Sequence, residues 1–135
     1  MEVYEFLVPG RPVSAHGKNR ARYEAFKERT FIAAAQVWPA EMVFDAYDAH
    51  LTIVVASGER SPIDLDNVVK PVMDALSPIY YADDIMVSDV DAHRRIWDDD
   101  VDVTVLPKLL HDAWDAREDC LYVRLQRTRK LQEML

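Results

Sequence analysis

The sequence predicts one α/β domain in which strands and helices take turns along a short chain. Three observations predict it. Strand-length runs of β-branched and apolar residues recur along the chain. Between them lie stretches whose apolar residues repeat at helical spacing. The chain has 135 residues, 50% of them hydrophobic, which suits one modest core and leaves little room for a second. Residues 1–135 are therefore expected to form a single domain.

The elements follow in order. Glu2 to Val8 alternates, with Val3, Phe6 and Val8 apolar, and reads as a first strand; Pro9-Gly10-Arg11-Pro12 stops it. Ser14 to Asn19 is a polar loop. From Lys18 or Asn19 to about Val37, apolar residues at Ala21, Ala25, Phe26, Ile32, Ala33 and Val37 predict a helix, which Pro39 ends. His50 to Ala56 is rich in Thr, Ile and Val and reads as a buried strand.

From Leu65 onward a second helix gathers Leu65, Val69, Val72, Met73 and Leu76 on one face, with Val68 and Ala75 at its edge. Asp66, Lys70 and Asp74 line one flank at i,i+4 spacing. Pro71 lies close enough to the first turn for its missing N–H to be tolerated, with a slight kink expected. Ile85 to Trp97 holds a strand, and Asp98-Asp99-Asp100 is a turn. Val101, Val103 and Val105 alternate with Asp102 and Thr104, which predicts a strand with one wet face. Pro107 opens a short helix through Trp114, Leu121 to Gln126 is a last strand, and Arg127 to Leu135 is a weak helix candidate.

Charge and composition narrow the function. No apolar run is long enough to cross a bilayer, and the start of the chain carries acid where a secretory signal needs base. A cytoplasmic protein without a membrane partner is expected. Cys120 is the single cysteine, so no internal disulfide can form, and its apolar neighbours mark it as a core thiol. The net charge of -8 opposes nucleic-acid binding when taken alone, because phosphate contacts need Lys and Arg. It is unevenly spread, however. Arg11, Lys18, Arg20, Arg22, Lys27 and Arg29 form a basic segment, Arg124 to Lys130 forms another, and acid concentrates between Asp83 and Asp119. Such a chain can bind a polyanion on one face, with a metal neutralising the acid.

The chemistry sits in the middle. Asp64-x-Asp66 stands at a helix start, Lys70 follows one turn on, and Asp83-Asp84 ends the apolar run Ile79 to Ala82. A few carboxylates suit a hard divalent cation and leave positions for water and phosphate. Such a site can activate a water and neutralise a phosphodiester during hydrolysis, while Lys70 can stabilise charge on the phosphate or the leaving oxygen. Each piece alone has a plainer reading: Asp64 or Asp66 as a helix N-cap, Asp83 and Asp84 as turn residues, Asp66 and Lys70 as a surface pair. Other chemistries fail. The Asp64 segment has Val69 where a calcium loop needs glycine, the four histidines lack zinc spacing, and 3 Gly make no phosphate loop.

The ordered set Asp64-Leu65-Asp66-Asn67, Lys70, Asp74-Ala75-Leu76 and Tyr81-Ala82-Asp83-Asp84 resembles the RusA-like Holliday-junction resolvases of bacteria and their phages. The likeness covers Asp64 to about Val87, and the opening strand with Pro9-Gly10-Arg11-Pro12 also resembles that family. It implies an α/β (α+β) fold with a small mixed sheet flanked by helices, acting as a homodimer. It implies Mg²⁺-dependent nicking of branched DNA, with Mn²⁺ able to substitute, in recombination and repair. Carried over by position, Asp64, Asp66 and Asp84 would be the essential metal carboxylates, Asp83 would assist, and Lys70 would be the catalytic lysine. Lys18, Arg20 and Arg22 would contact DNA. The acidic stretch from Trp97 to Asp119 departs from the family's compact C-terminal part. Two alternatives stay open: a catalytically silent junction-binding module, and an acidic protein-interaction module of the same fold.

Overall fold

A computed structural model describes residues 3–14, 18–37, 48–59, 63–77, 80 and 87–135. Its elements run β1 (Val3–Pro9), α1 (Arg20–Ala35), β2 (Ala49–Ser57), α2 (Asp66–Leu76), β3 (Val87–Ile96), α3 (Lys108–Ala116), β4 (Cys120–Arg127) and a last short turn of helix, α4 (Leu131–Met134). The four strands make one mixed sheet in the order β1-β4-β2-β3, flanked by helices, an α+β architecture. β4 pairs antiparallel with both β1 and β2, and β3 runs parallel to β2.

The strand pattern explains this order. Every residue of β2 is buried, as expected of a central strand covered on both faces. β3 carries Asp89, Asp91, His93 and Arg95 and is half exposed throughout, which suits an edge and discourages further pairing. Parallel β2 and β3 require a crossover, and α2 provides it. Alternation then sorts the side chains. Ala49, Leu51, Ile53 and Val55 join Phe6, Val8, Leu121, Val123 and Leu125 beneath α1 and α2. Val54, Ala56, Cys120 and Tyr122 face the opposite way, onto α3 and the edge-to-face pair Trp97–Trp114, whose ring centroids are 5.1 Å apart.

Some details differ from the sequence reading. On α1 the buried stripe is Tyr23, Phe26, Thr30, Ala33 and Ala34, while Ile32 and Phe31 face outward. The polar members fit because Thr30 Oγ1 donates to the Phe26 carbonyl at 2.9 Å. The expected strand at Val101–Val105 is instead an extended stretch leading to a single 3₁₀ turn, Val103–Val105. Asp102 causes this: its carboxylate accepts from the Thr104 amide at 3.0 Å and the Thr104 hydroxyl at 2.6 Å, a local closure that competes with strand pairing. The Asp98–Asp100 turn forms as expected, with Asp99 accepting from the Ile96 amide at 2.8 Å, and α2 continues through Pro71.

Two long-range ties close the fold. The Tyr80 hydroxyl donates toward the Ala34 and Val37 carbonyls at 3.2 and 3.4 Å, tying the end of α1, where the Ala34 carbonyl also accepts from the Val37 amide at 3.1 Å. Burial pushes its pKa up to about 12. At the other end of the sheet, Asp119 accepts from Arg11 Nε at 2.6 Å and the Gly58 amide at 2.9 Å, and its carbonyl accepts from Gly10 at 2.8 Å. Gly10 has φ +87°, a conformation that favours glycine. Arg11 also reaches Glu59 at 3.2 Å.

Leu51 is fully enclosed in the central strand, so Leu51→Ala is expected to cost about 3 kcal/mol in urea unfolding. The hydrogen bond from Arg11 holds the Asp119 carboxyl below its ordinary 3.8. A lowered folded-state pKa gives stability that is present above pH 3.8 and is lost as pH falls through the folded value. The stability gap between the native chain and Asp119→Asn should therefore stay constant at neutral pH and narrow on acidification, read from thermal midpoints across pH. A gap that stays constant into acid would contradict this assignment.

Candidate functional site

The β2–α2–β3 crossover decides where the acidic motif lies. α2 begins beyond the Ser57 end of β2 and runs back across the sheet, so Asp64 and Asp66 sit at that end of the molecule. Leu65 is the N-cap residue and makes no side-chain capping bond. The first turn closes through backbone alone, with Asn67 and Val68 amides donating to the Asp64 and Leu65 carbonyls at 3.1 and 3.0 Å. Neither carboxylate is therefore used as a cap, and neither meets a hydrogen-bond or ion-pair partner among the described residues. Both are exposed. Exposed acids one residue apart, without partners, are oxygen donors that fit a hard divalent cation.

The ligand set is incomplete among the described residues, where no group of three or more His, Cys, Asp or Glu side chains gathers. Asp83 and Asp84 lie outside the described residues. Lys70 stands one turn after Asp66, 60% exposed, with Nζ 2.8 Å from Asp74 Oδ1. The ammonium thus remains in solvent on the flank that carries Asp66.

Beside the acids is a cleft of about 480 Å³. Its walls are Arg11, Pro12, Val13, Ser14, Lys18 and Asn19, which lead into α1, together with Arg22 from its first turn and Ile63, Asp64 and Asn67 from the start of α2. Both helices therefore present their amide ends to one space, where their dipoles favour an anion. Asn19 caps α1 by accepting from the Arg22 amide at 3.0 Å, and no acid occupies that first turn.

Several cations elsewhere are matched with acids: Arg20 with Glu24 at 3.0 Å, Lys108 with Asp112 at 2.9 Å, Arg117 with Asp98 at 3.1 Å, and Arg127 with Asp48. Lys18 and Arg22 meet no acid among the described residues. The cleft thus concentrates uncommitted positive charge in a chain whose net charge is -8.

The structure brings Lys18 and Arg22 together with Asp64. Arg20, grouped with them on sequence, does not line the cleft; it lies over the Tyr23 ring, 5.1 Å from its centroid. Sequence reasoning missed Asn67 on the cleft wall, and Asp119, which holds Arg11 there from 108 residues away. No local pattern could announce that tie. It also missed Arg94, whose Nη1 donates to the Ile63 carbonyl at 2.6 Å, directly before Asp64. Cys120 is buried as expected, and burial pushes its thiol up to about 11, so it is no nucleophile at neutral pH. No described helix is long and apolar enough to cross a membrane.

No curated protein matches this chain. The family described as endodeoxyribonuclease RusA matches residues 9–106, more than two thirds of the sequence, including the whole cleft and the acidic motif. On that match the chain belongs to the RusA endodeoxyribonuclease family.

Proposed function

We propose that this protein is a divalent-metal-dependent, structure-selective endodeoxyribonuclease that nicks four-way DNA junctions during recombination and repair. In this reading Asp64 and Asp66 hold the cation, completed by Asp84 with help from Asp83. Mg²⁺ is the physiological ion, and Mn²⁺ can replace it. The enzyme works as a homodimer, which suits paired incisions on a junction of opposed strands. The observation that carries the reading is the pair of exposed carboxylates that meet no partner among the described residues, one of them on the wall of a cleft shared with Lys18 and Arg22.

When bound, the cation supplies charge neutralisation at the phosphodiester and lowers the pKa of a hydrolytic water. The chain's own residues do the rest. Lys18 and Arg22 draw the sugar–phosphate backbone into the cleft, with Arg20 nearby on the same helix turn; Arg22 can grip a phosphate through two N–H groups, whereas Lys18 acts as a point charge. Asp64 and Asp66 keep their negative charge available because no cap or ion pair competes for it. Lys70 stabilises charge growing on the phosphate or the departing oxygen, and its exposed ammonium can exchange Asp74 for that partner. The overall negative charge repels duplex DNA at a distance, so productive binding depends on the cleft rather than on general attraction.

The native chain should nick a four-way junction in Mg²⁺ or Mn²⁺ and cut plain duplex more slowly. No cutting of junction, flap or duplex in either ion would overturn the proposal; junction binding without cutting would favour the catalytically silent alternative. Asp66→Asn should lower the nicking rate by at least about a hundredfold, the scale of losing one preorganised charge at a reacting group, while junction binding at low salt persists. Lys18→Ala and Arg22→Ala should each weaken junction binding and reduce its log–log salt dependence by about one unit, measured by titrations at several ionic strengths. An unchanged slope would remove these two residues from the phosphate contacts.

A further inference from the structure

We infer that Arg94 is a positioning residue for the metal carboxylates: it clamps the turn that aims Asp64 and Asp66. The inference rests on the nuclease reading above and names how the site is held. Three observations lead to it. First, the start of α2 has no brace of its own, since its N-cap is Leu65 and no side chain caps it. A helix end left this way is held only by its first backbone bonds and frays readily. Second, Arg94 Nη1 donates to the Ile63 carbonyl at 2.6 Å, a short charge-assisted bond to the residue directly before Asp64. Third, Arg94 is anchored. It is half-buried in β3 opposite Val55 of the central strand, with its own carbonyl accepting from Arg95 Nη1 at 2.9 Å.

A rigid strand therefore fixes the backbone from which the acidic motif departs. The same strand begins at Val87, just after the Asp83-Asp84 segment. Val87 pairs with Ala49 and Arg94 with Val55, so the start of the strand and the Arg94 brace lie toward opposite ends of the sheet, and the clamp acts on the Asp64 end alone. Arg94 touches neither DNA nor cation in this account; it acts through the Ile63 carbonyl. Groups that orient ligands in this way typically change metal affinity or rate by about 10- to 100-fold when removed.

The test compares the native chain with Arg94→Gln and Arg94→Lys. Three readouts apply: Mn²⁺ binding followed by the electron paramagnetic resonance of free ion, kcat and KM for junction nicking, and amide hydrogen exchange at residues 64–68 without metal. Arg94→Gln should weaken Mn²⁺ binding and lower kcat about tenfold or more, leave KM for the junction unchanged, and speed exchange at 64–68. Arg94→Lys keeps the charge and one donor and should recover part of each effect. Should the Gln variant fail to fold, exchange and Mn²⁺ binding in the Lys variant still decide. Native Mn²⁺ affinity, kcat and exchange in both variants would overturn the inference and leave the nuclease reading standing. A raised KM with unchanged Mn²⁺ affinity would also overturn it, by making Arg94 a DNA contact. A native chain that neither binds Mn²⁺ nor nicks any substrate would overturn both.

Discussion

Burial of β2 on both faces is the constraint from which the rest of the arrangement follows. A strand with no exposed residue must have a partner on each side and a layer above and below. β4 and β3 supply the partners, α1 and α2 one layer, and α3 the other. The parallel pairing with β3 forces a crossover, and the crossover sets the direction of α2. With α1 packed alongside on the same face, the amide ends of both helices open onto the cleft at the Ser57 end of β2. The position of the acidic motif next to Lys18 and Arg22 is thus a result of sheet topology, not of any attraction between those residues.

Electrostatics work here by local neutralisation at several surface pairs and by its absence at the cleft residues Lys18 and Arg22. A net charge of -8 describes the far field, whereas a ligand in contact feels nearby charges, because screening removes most influence beyond about 10 Å at ordinary salt. At several surface sites cations are matched by acids at 2.9 to 3.2 Å. Such exposed pairs add little stability individually. Their larger effect is to leave those regions without net attraction for phosphate. Arg11 is intermediate: it lines the cleft, yet Asp119 and Glu59 already hold it. It serves first as part of the lacing among the β1, β2 and β4 ends.

Much of this was legible in the sequence because period and composition are local. The continuous apolar run of β2, the alternation in β4 and the apolar stripe of α2 each announce themselves within ten residues or so. The stripe on α2 came out rotated slightly, with Val68 and Ala75 deeper than Leu65 and Met73, because the helix nestles between the sheet and α1. On α1 the apolar residues were a poor guide. Thr30 is buried through its own backbone bond and Phe31 is not buried at all. Valine alternation suggested a strand at 101–105, but one aspartate closing on Thr104 was enough to curl the chain. In the site, residue types and spacing identified Asp64, Asp66 and Lys70 as candidates, whereas the holding groups, Asp119 and Arg94, come from distant positions that no spacing rule connects.

The match to the RusA family ends at residue 106, but the fold does not. β4 lies wholly beyond that point and is hydrogen-bonded to β1 on one side and β2 on the other. Excision at 106 would remove the strand to which β1 is paired and bare the apolar flank of β2. The matched stretch is therefore not an autonomous folding unit. Selection on the C-terminal third can vary its surface freely, but every member with this topology must retain some strand there to seal the middle of the sheet.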